Sequence, residues 1–241
     1  MYNLLISFFL STTVAVLLYT LAGLDLWIPT LVSVLVFMGA YFLLTRYFMK
    51  KVGELMESAQ RDIQAGRVDK AIKTLQEGYR YGKWQIYVKS NIDAQIGTML
   101  YLKRDFSAAF DYLQKGFVRQ WVAMGMLAIC YMKRNKPGKM IETFDKATAA
   151  SKKEPLLWNL YAFCLDHVGE KQKAITVMEK GLKKTKDDAQ LKANLELLKE
   201  GKKMRMLDYG DIWYQFHLEK QGTLVKQQTK LMQGRRKIVR R

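Results

Sequence analysis

Leu4 to Leu21 and Trp27 to Leu44 are two apolar runs of 18 residues each, and no Asp, Glu, Lys, Arg or His interrupts either one. As a helix, each is about 27 Å long, enough to cross the hydrocarbon core of a bilayer. The intervening Ala22 to Leu26 admit only a tight turn, and a turn inside lipid would strand backbone polar groups. The spacing predicts a transmembrane hairpin over residues 1–48, spanning at about 4–21 and 27–44, with its turn at one interface. The Ser and Thr residues within the runs can bond back to helix carbonyls. The lack of charge in the spans argues against an ion or proton pathway and for an anchor. A cleaved signal peptide is the alternative for the first run. Against it stand the missing basic start, the missing A-x-A-like site and the second run that follows at once.

Charge gives the orientation. Residues 1–45 carry no Lys or Arg and one acid, Asp25, so all forty bases fall between Arg46 and Arg241. Arg46, Lys50 and Lys51 follow the second span directly, and basic flanks stay on the cytoplasmic side. The expectation is a multi-pass protein of the cell inner (cytoplasmic) membrane with both termini and the whole body cytoplasmic. Trp27 and Tyr47 stand at opposite ends of the second span, where interfacial rings belong. Two cysteines, Cys130 and Cys164, are too few for a disulfide framework and lack CxxC spacing, so both are expected to be free thiols.

The body repeats. Ala71 has Leu75 four residues on, Gly78 seven on and Ala59 twelve back. The same spacing holds around Ala109 (Leu113, Gly116, Gly97), Met140 (Phe144, Ala147, Ala128) and Ala174 (Met178, Gly181, Ala162), at intervals of 38, 31 and 34 residues. Small residues at these offsets let two antiparallel helices approach closely, with Leu, Phe or Met filling the gap. One such pair cannot bury its own face, so pairs must stack. Cys130 and Cys164 are also one period apart, in equivalent slots.

These residues resemble the tetratricopeptide repeat family. The fullest copy is "PLLWNLYAFCLDHVGEKQKAITVMEKGL", residues 155 to 182, where Trp158, Tyr161, Ala162, Leu165, Gly169, Ala174, Met178 and Gly181 match the motif. The third copy departs from it at Met140, the second at Asp93 and the first at Asp62, which stands where a large apolar residue is usual. The resemblance implies an all-α fold: the hairpin, then a cytoplasmic α-solenoid over 49–201 of about four repeats plus a solvating helix from Asp188 to Gly201. The layout is similar to that of HemY-type inner-membrane proteins, although this chain is shorter.

In such repeats the first helix of each pair lines a binding groove. By position, the groove would show Asn91, Ala94, Thr98 and Tyr101, then Val122, Gly125, Ile129 and Met132, then Leu156, Asn159, Phe163 and Asp166. This surface is mainly aliphatic and aromatic, which suits an apolar helix or extended segment better than a carboxylate clamp. No Gly-rich phosphate loop, HExxH or GxSxG occurs, and the two histidines, His167 and His217, make no dyad. The expectation is a non-enzyme that needs no cofactor and no metal.

Two stretches invite chemistry. "YRYGKWQIYVK", residues 79 to 89, interleaves rings with Arg80, Lys83 and Lys89 as a base-stacking surface would. The expanded first interval favours rings plugging a junction instead. "LDYGDIWYQFHLEK", residues 207 to 220, places Tyr209, Ile212, Trp213 and Phe216 at i, i+3, i+4 and i+7, an amphipathic face with Asp208 as N-cap. That helix would cap the last repeat, enter the groove or dock on the membrane, in that order of preference, with Trp213 and Phe216 buried against protein. Over 202–241 it leads into a tail of eleven bases against three acids, suited to anionic headgroups. Nucleic acid would also attract that charge, but no reading motif accompanies it, so it is an unlikely partner.

The functional expectation is a membrane-anchored scaffold or adaptor that binds a partner protein at the cytoplasmic face, an assembly factor. The alternatives are an accessory subunit of an envelope enzyme or transport complex, or a tether for anionic lipid or nucleic acid.

Overall fold

The computed structural model describes residues 1–23 and 25–219. Among them every regular element is helical, and no strand occurs. The chain divides into two compact units, Met1–Ala123 and Met124–Arg241.

The first unit opens with α1 (Tyr2–Ala22), closed by the left-handed Gly23, and α2 (Trp27–Gln64), which pack as a hairpin. Both are long and apolar enough to cross a membrane. Only 11% and 6% of their most apolar stretches are buried, so they point apolar side chains outward as the core helix of a soluble protein does not. Ser7, Ser11, Thr12, Thr13, Thr20, Thr30 and Ser33 each donate to a carbonyl three or four residues back. The buried seam of α1 is polar: Asn3, Ser7 and Ser11, four residues apart, are its only buried side chains. Small polar residues of this kind let spanning helices approach.

α2 runs unbroken through the expected boundary at residue 48 as one helix of 38 residues. The charge step at Arg46, Lys50 and Lys51 leaves the helix intact, since Lys and Arg are good helix formers. The chain then forms α3 (Val68–Glu77), a 3₁₀ segment (Gly78–Lys83), α4 (Val88–Leu102) and α5 (Phe106–Leu113). Asp105 caps α5 by accepting from the Ala108 N–H at 3.1 Å. The off-pattern Asp62 is 3% exposed and binds Arg67 Nη2 at 2.7 Å and Lys70 Nζ at 3.3 Å. Burial alone would raise its carboxyl, but the hydrogen bonds from Arg67 and Lys70 outweigh that and hold it below the ordinary range. The other off-pattern acid, Asp93, is also buried and accepts from the Tyr79 hydroxyl.

α6 (Trp121–Lys133) crosses into the second unit. It is followed by α7 (Pro137–Ala150), α8 (Pro155–His167), α9 (Lys171–Lys184), α10 (Ala189–Lys199), a 3₁₀ turn (Met206–Tyr209) and the short α11 (Asp211–Tyr214). Pro137 and Pro155 open their helices at the first position, where no amide is needed.

A single closure recurs along both units. Gly66, Arg104, Asn135, Gly169 and Gly201 all take left-handed φ, between 54° and 88°. After each, the next residue's N–H reaches back five residues: Arg67 to Asp62, Asp105 to Leu100, Lys136 to Tyr131, Glu170 to Leu165 and Lys202 to Leu197, at 2.8–3.0 Å. These are Schellman closures, and the first four stand at intervals of 38, 31 and 34 residues, the intervals of the sequence pattern. The fifth shows that α10 ends as the first helix of a further pair would. The small positions behave as expected. A Cβ at Gly97 would stand 2.8 Å from Leu113 of α5, and one at Gly181 would stand 2.7 Å from Trp158 of α8.

Candidate functional site

The face made by the first helices differs between the two units: it is open in one and filled in the other.

In the first unit, α2 and α4 flank a cavity of about 740 Å³. Met49, Val52, Met56 and Ile63 of α2 line one wall, Val88 and Met99 line the other, and Leu75 lies between. The polar groups around it are mostly amides: Gln60, Gln85, Asn91, Gln95 and Gln120. Three of them are interlinked, since Gln120 Nε2 donates to Asn91 Oδ1 at 2.8 Å and Gln95 Nε2 to Gln120 Oε1 at 3.5 Å. Glu57 is the one charged residue in the lining, and it meets Arg61 of its own helix in an exposed pair. Of the groove residues read from the sequence, Asn91 lines this cavity. Ala94 and Tyr101 are buried without exposure, Tyr101 edge-on to Phe106 at 5.0 Å. Thr98 is half-buried and donates to the Ala94 carbonyl.

In the second unit the corresponding face is covered by residues 205–216 of the chain itself. The Arg205 N–H donates to Asn194 Oδ1 at 2.7 Å, Asn194 Nδ2 to Asn159 Oδ1 at 2.9 Å, and Asn159 Nδ2 to the Tyr209 hydroxyl at 2.6 Å. Trp213 lies edge-on to Phe163 at 5.0 Å. A Cβ at Gly125 of α6 would meet Phe216 at 3.3 Å. The segment thus crosses α10, α8 and α6 in turn. Trp213 and Phe216 are both at 0% exposure, and the Trp213 indole N–H donates to Glu219. Burial pushes the Tyr209 phenol pKa up, and the Asp188 charge adds to the shift.

Several expectations are corrected here. Asn159 and Phe163 are covered by residues 209 and 213, so they do not line an open groove. Leu156, Ile129 and Met132 are buried too, while Val122 is half-buried and Asp166 exposed. The aromatic segment enters the first-helix face, which ranked second after a capping role. It is also no continuous helix. Gly210, at φ 61° and ψ −138°, interrupts it in a conformation almost confined to glycine. Asp208 therefore sits in the 3₁₀ turn, Gly210 takes the N-cap position, and half-buried Ile212 follows. Asn194 is the partner that sequence reasoning missed. It stands in the small-residue slot of α10, and a polar residue in such a slot was the available signal. The tail from Lys220 to Arg241 lies outside the described residues.

The 79–89 stretch packs. Trp84 stacks on Phe48 at 4.3 Å, Tyr2 meets Trp84 edge-on at 5.3 Å, and Tyr81 lies 6.1 Å from Phe48. The cysteines are buried free thiols. Burial pushes Cys130 up to about 11, with Arg134 and Lys133 pulling weakly the other way, and raises Cys164 further. Both stay protonated at neutral pH. Among the described residues no three His, Cys, Asp or Glu side chains gather as metal ligands. No family model, curated protein or solved structure matches the chain.

Proposed function

We propose that the protein is a membrane-anchored adaptor of the tetratricopeptide type, which holds a partner protein at the cytoplasmic face of the inner membrane. The observation that carries this reading is α2, an unbroken helix whose first half is an apolar span and whose second half is a wall of the open cavity. A site built this way lies immediately below the bilayer. Its occupant is then a segment close to a membrane, such as the stretch that follows another protein's span.

The lining selects among ligands. At about 740 Å³ the cavity falls within the range of specific binding sites. Its methionines adapt to irregular apolar shapes, and its five amides both donate and accept, as the unpaired backbone of an extended peptide requires. A phosphate or a terminal carboxylate would need cations that the lining does not supply. The filled face of the second unit supports the same chemistry, because there a chain with two buried rings and a hydroxyl held by Asn159 occupies the equivalent surface. The charge step at Arg46, Lys50 and Lys51 supports the cytoplasmic placement.

A photoreactive residue at Met56 or Gln95, introduced into the full chain in its native membranes, tests the reading. The expected result is crosslinking to a membrane protein that a probe at exposed Ser107 does not capture. Identical products from all three positions would remove the groove from the proposal.

A further inference from the structure

The rings of the 79–89 stretch lie beside the ends of the two apolar helices. Trp84 stands between Tyr2, at the start of α1, and Phe48, 21 residues along α2 from Trp27. Twenty-one residues of helix span about 31 Å, the thickness of a hydrocarbon core. If Trp27 marks one interface, Phe48 marks the other, and Trp84 shares its level. Two further contacts fix the loop there: Met1 N donates to the Lys83 carbonyl, and Asn3 Nδ2 donates to Gln85 Oε1 at 3.4 Å.

The loop does more than pack. Beyond Met49, only three large apolar side chains among the described residues are exposed, and two of them are Ile86 at 42% and Tyr87 at 59%. Both also border the α2–α4 cavity, where Tyr87 packs on Phe117 at 4.8 Å, so it is the part of each side chain left exposed beyond that lining that faces outward. Tyr87 also holds φ at 68°, a left-handed conformation unfavourable for a bulky side chain. Around these rings, residues 45–53 and 78–91 carry Arg46, Lys50, Lys51, Arg80, Lys83 and Lys89 and not one acid. Of these, Lys51 pairs with Glu54 and Arg80 lies over the Tyr81 ring at 5.0 Å.

We infer that residues 78–89 form a membrane-docking surface that inserts Trp84, Ile86 and Tyr87 at headgroup depth and binds anionic phospholipid headgroups through Arg80, Lys83 and Lys89 beside Lys50. Rings that are apolar at one end and polar at the other prefer this depth, and basic side chains next to a span gather anionic lipid. The inference rests on the reading of α1 and α2 as spans. It adds that the body is seated on the bilayer through a third contact and does not hang from the hairpin alone. The docking surface continues from the aromatic ends of the spans, which is why lipid, and not a soluble partner, is its occupant.

The test is site-directed spin labelling of the full chain in nanodiscs, with the label at Ile86→Cys, Leu35→Cys or Lys139→Cys. The buried Cys130 and Cys164 leave those positions to react selectively. Accessibility to oxygen and to a water-soluble nickel chelate gives the depth of each label. With anionic phospholipid, the label at 86 should lie at the headgroup–acyl boundary, between a label at 35 deep in hydrocarbon and one at 139 in water. Arg80→Gln with Lys83→Gln, or a purely zwitterionic bilayer, should raise its chelate accessibility several-fold. If 86 is as wet as 139 while 35 remains in hydrocarbon, the docking surface does not exist, although the anchor stands. If 86 sits at the boundary equally well in zwitterionic lipid, headgroup charge plays no part and that half of the inference fails. A label at 35 in water would overturn the anchor itself.

Discussion

Gly181 touches the face of Trp158, where a Cβ would come within 2.7 Å of Cγ and 2.8 Å of Cδ2. Trp158 cannot yield freely, because it is 3% exposed and its indole N–H is held by the Lys152 carbonyl at 2.9 Å. Gly181→Val should therefore destabilise the full chain by roughly 1–3 kcal/mol, read as a lower denaturation midpoint in detergent. Gly138→Ala, at a position with nothing within 4 Å of the added carbon, should leave the midpoint unchanged or raise it slightly. Asp62 makes a second prediction at this scale. Its carboxyl titrates below the unfolded value, so its stabilisation is present above the ordinary carboxylate range and is lost as pH falls through the folded-state pKa. Asp62→Asn should flatten that acid limb, measured as the midpoint against pH from neutrality down to about pH 3. Both sites show what was legible. The glycine was read correctly from its offset of seven from Ala174. The aspartate was read as a defect, because its cations, Arg67 and Lys70, come from the turn and helix beyond Gly66.

Between elements, the recurring closure explains why the repeat was readable. Each left-handed turn residue leaves a helix-ending signature that local sequence encodes, and the small positions set where helices meet. The 205–219 segment shows where that reading stops. Tyr209, Ile212, Trp213 and Phe216 have helical spacing, but Gly210 at φ 61° divides them, and the covering of Asn159 depends on a return across 50 residues that no local period contains. Gly210→Ala should cost on the order of 1–3 kcal/mol from backbone strain and loosen the segment. Trp213→Ala should remove roughly 3–5 kcal/mol of packing. Limited proteolysis of the full chain should then cut near residues 202–215 faster in both variants, and an unchanged cleavage rate in Trp213→Ala would mean that the segment is held by other contacts.

For the molecule as a whole, the decisive element is α2, whose continuity the charge step at Arg46 concealed. Residues 3 and 85 meet across the junction it supports, so Asn3→Cys with Gln85→Cys is expected to crosslink on mild oxidation. Two residues inserted after Phe48 rotate the lower half of α2 by about 200°, whereas four rotate it by about 40° beyond a full turn. The first insertion should abolish the crosslink and the second should preserve much of it, as judged by mobility on a non-reducing gel. The same continuity has a mechanical meaning. A rod without a hinge delivers the tilt and vertical displacement of its upper end to its lower end. Spanning helices tilt to match the thickness of the lipid around them. With α2 embedded, a thinner or thicker bilayer would lean Val52, Met56 and Ile63 relative to α4, so the width of the cavity would vary with the lipid in which the protein sits.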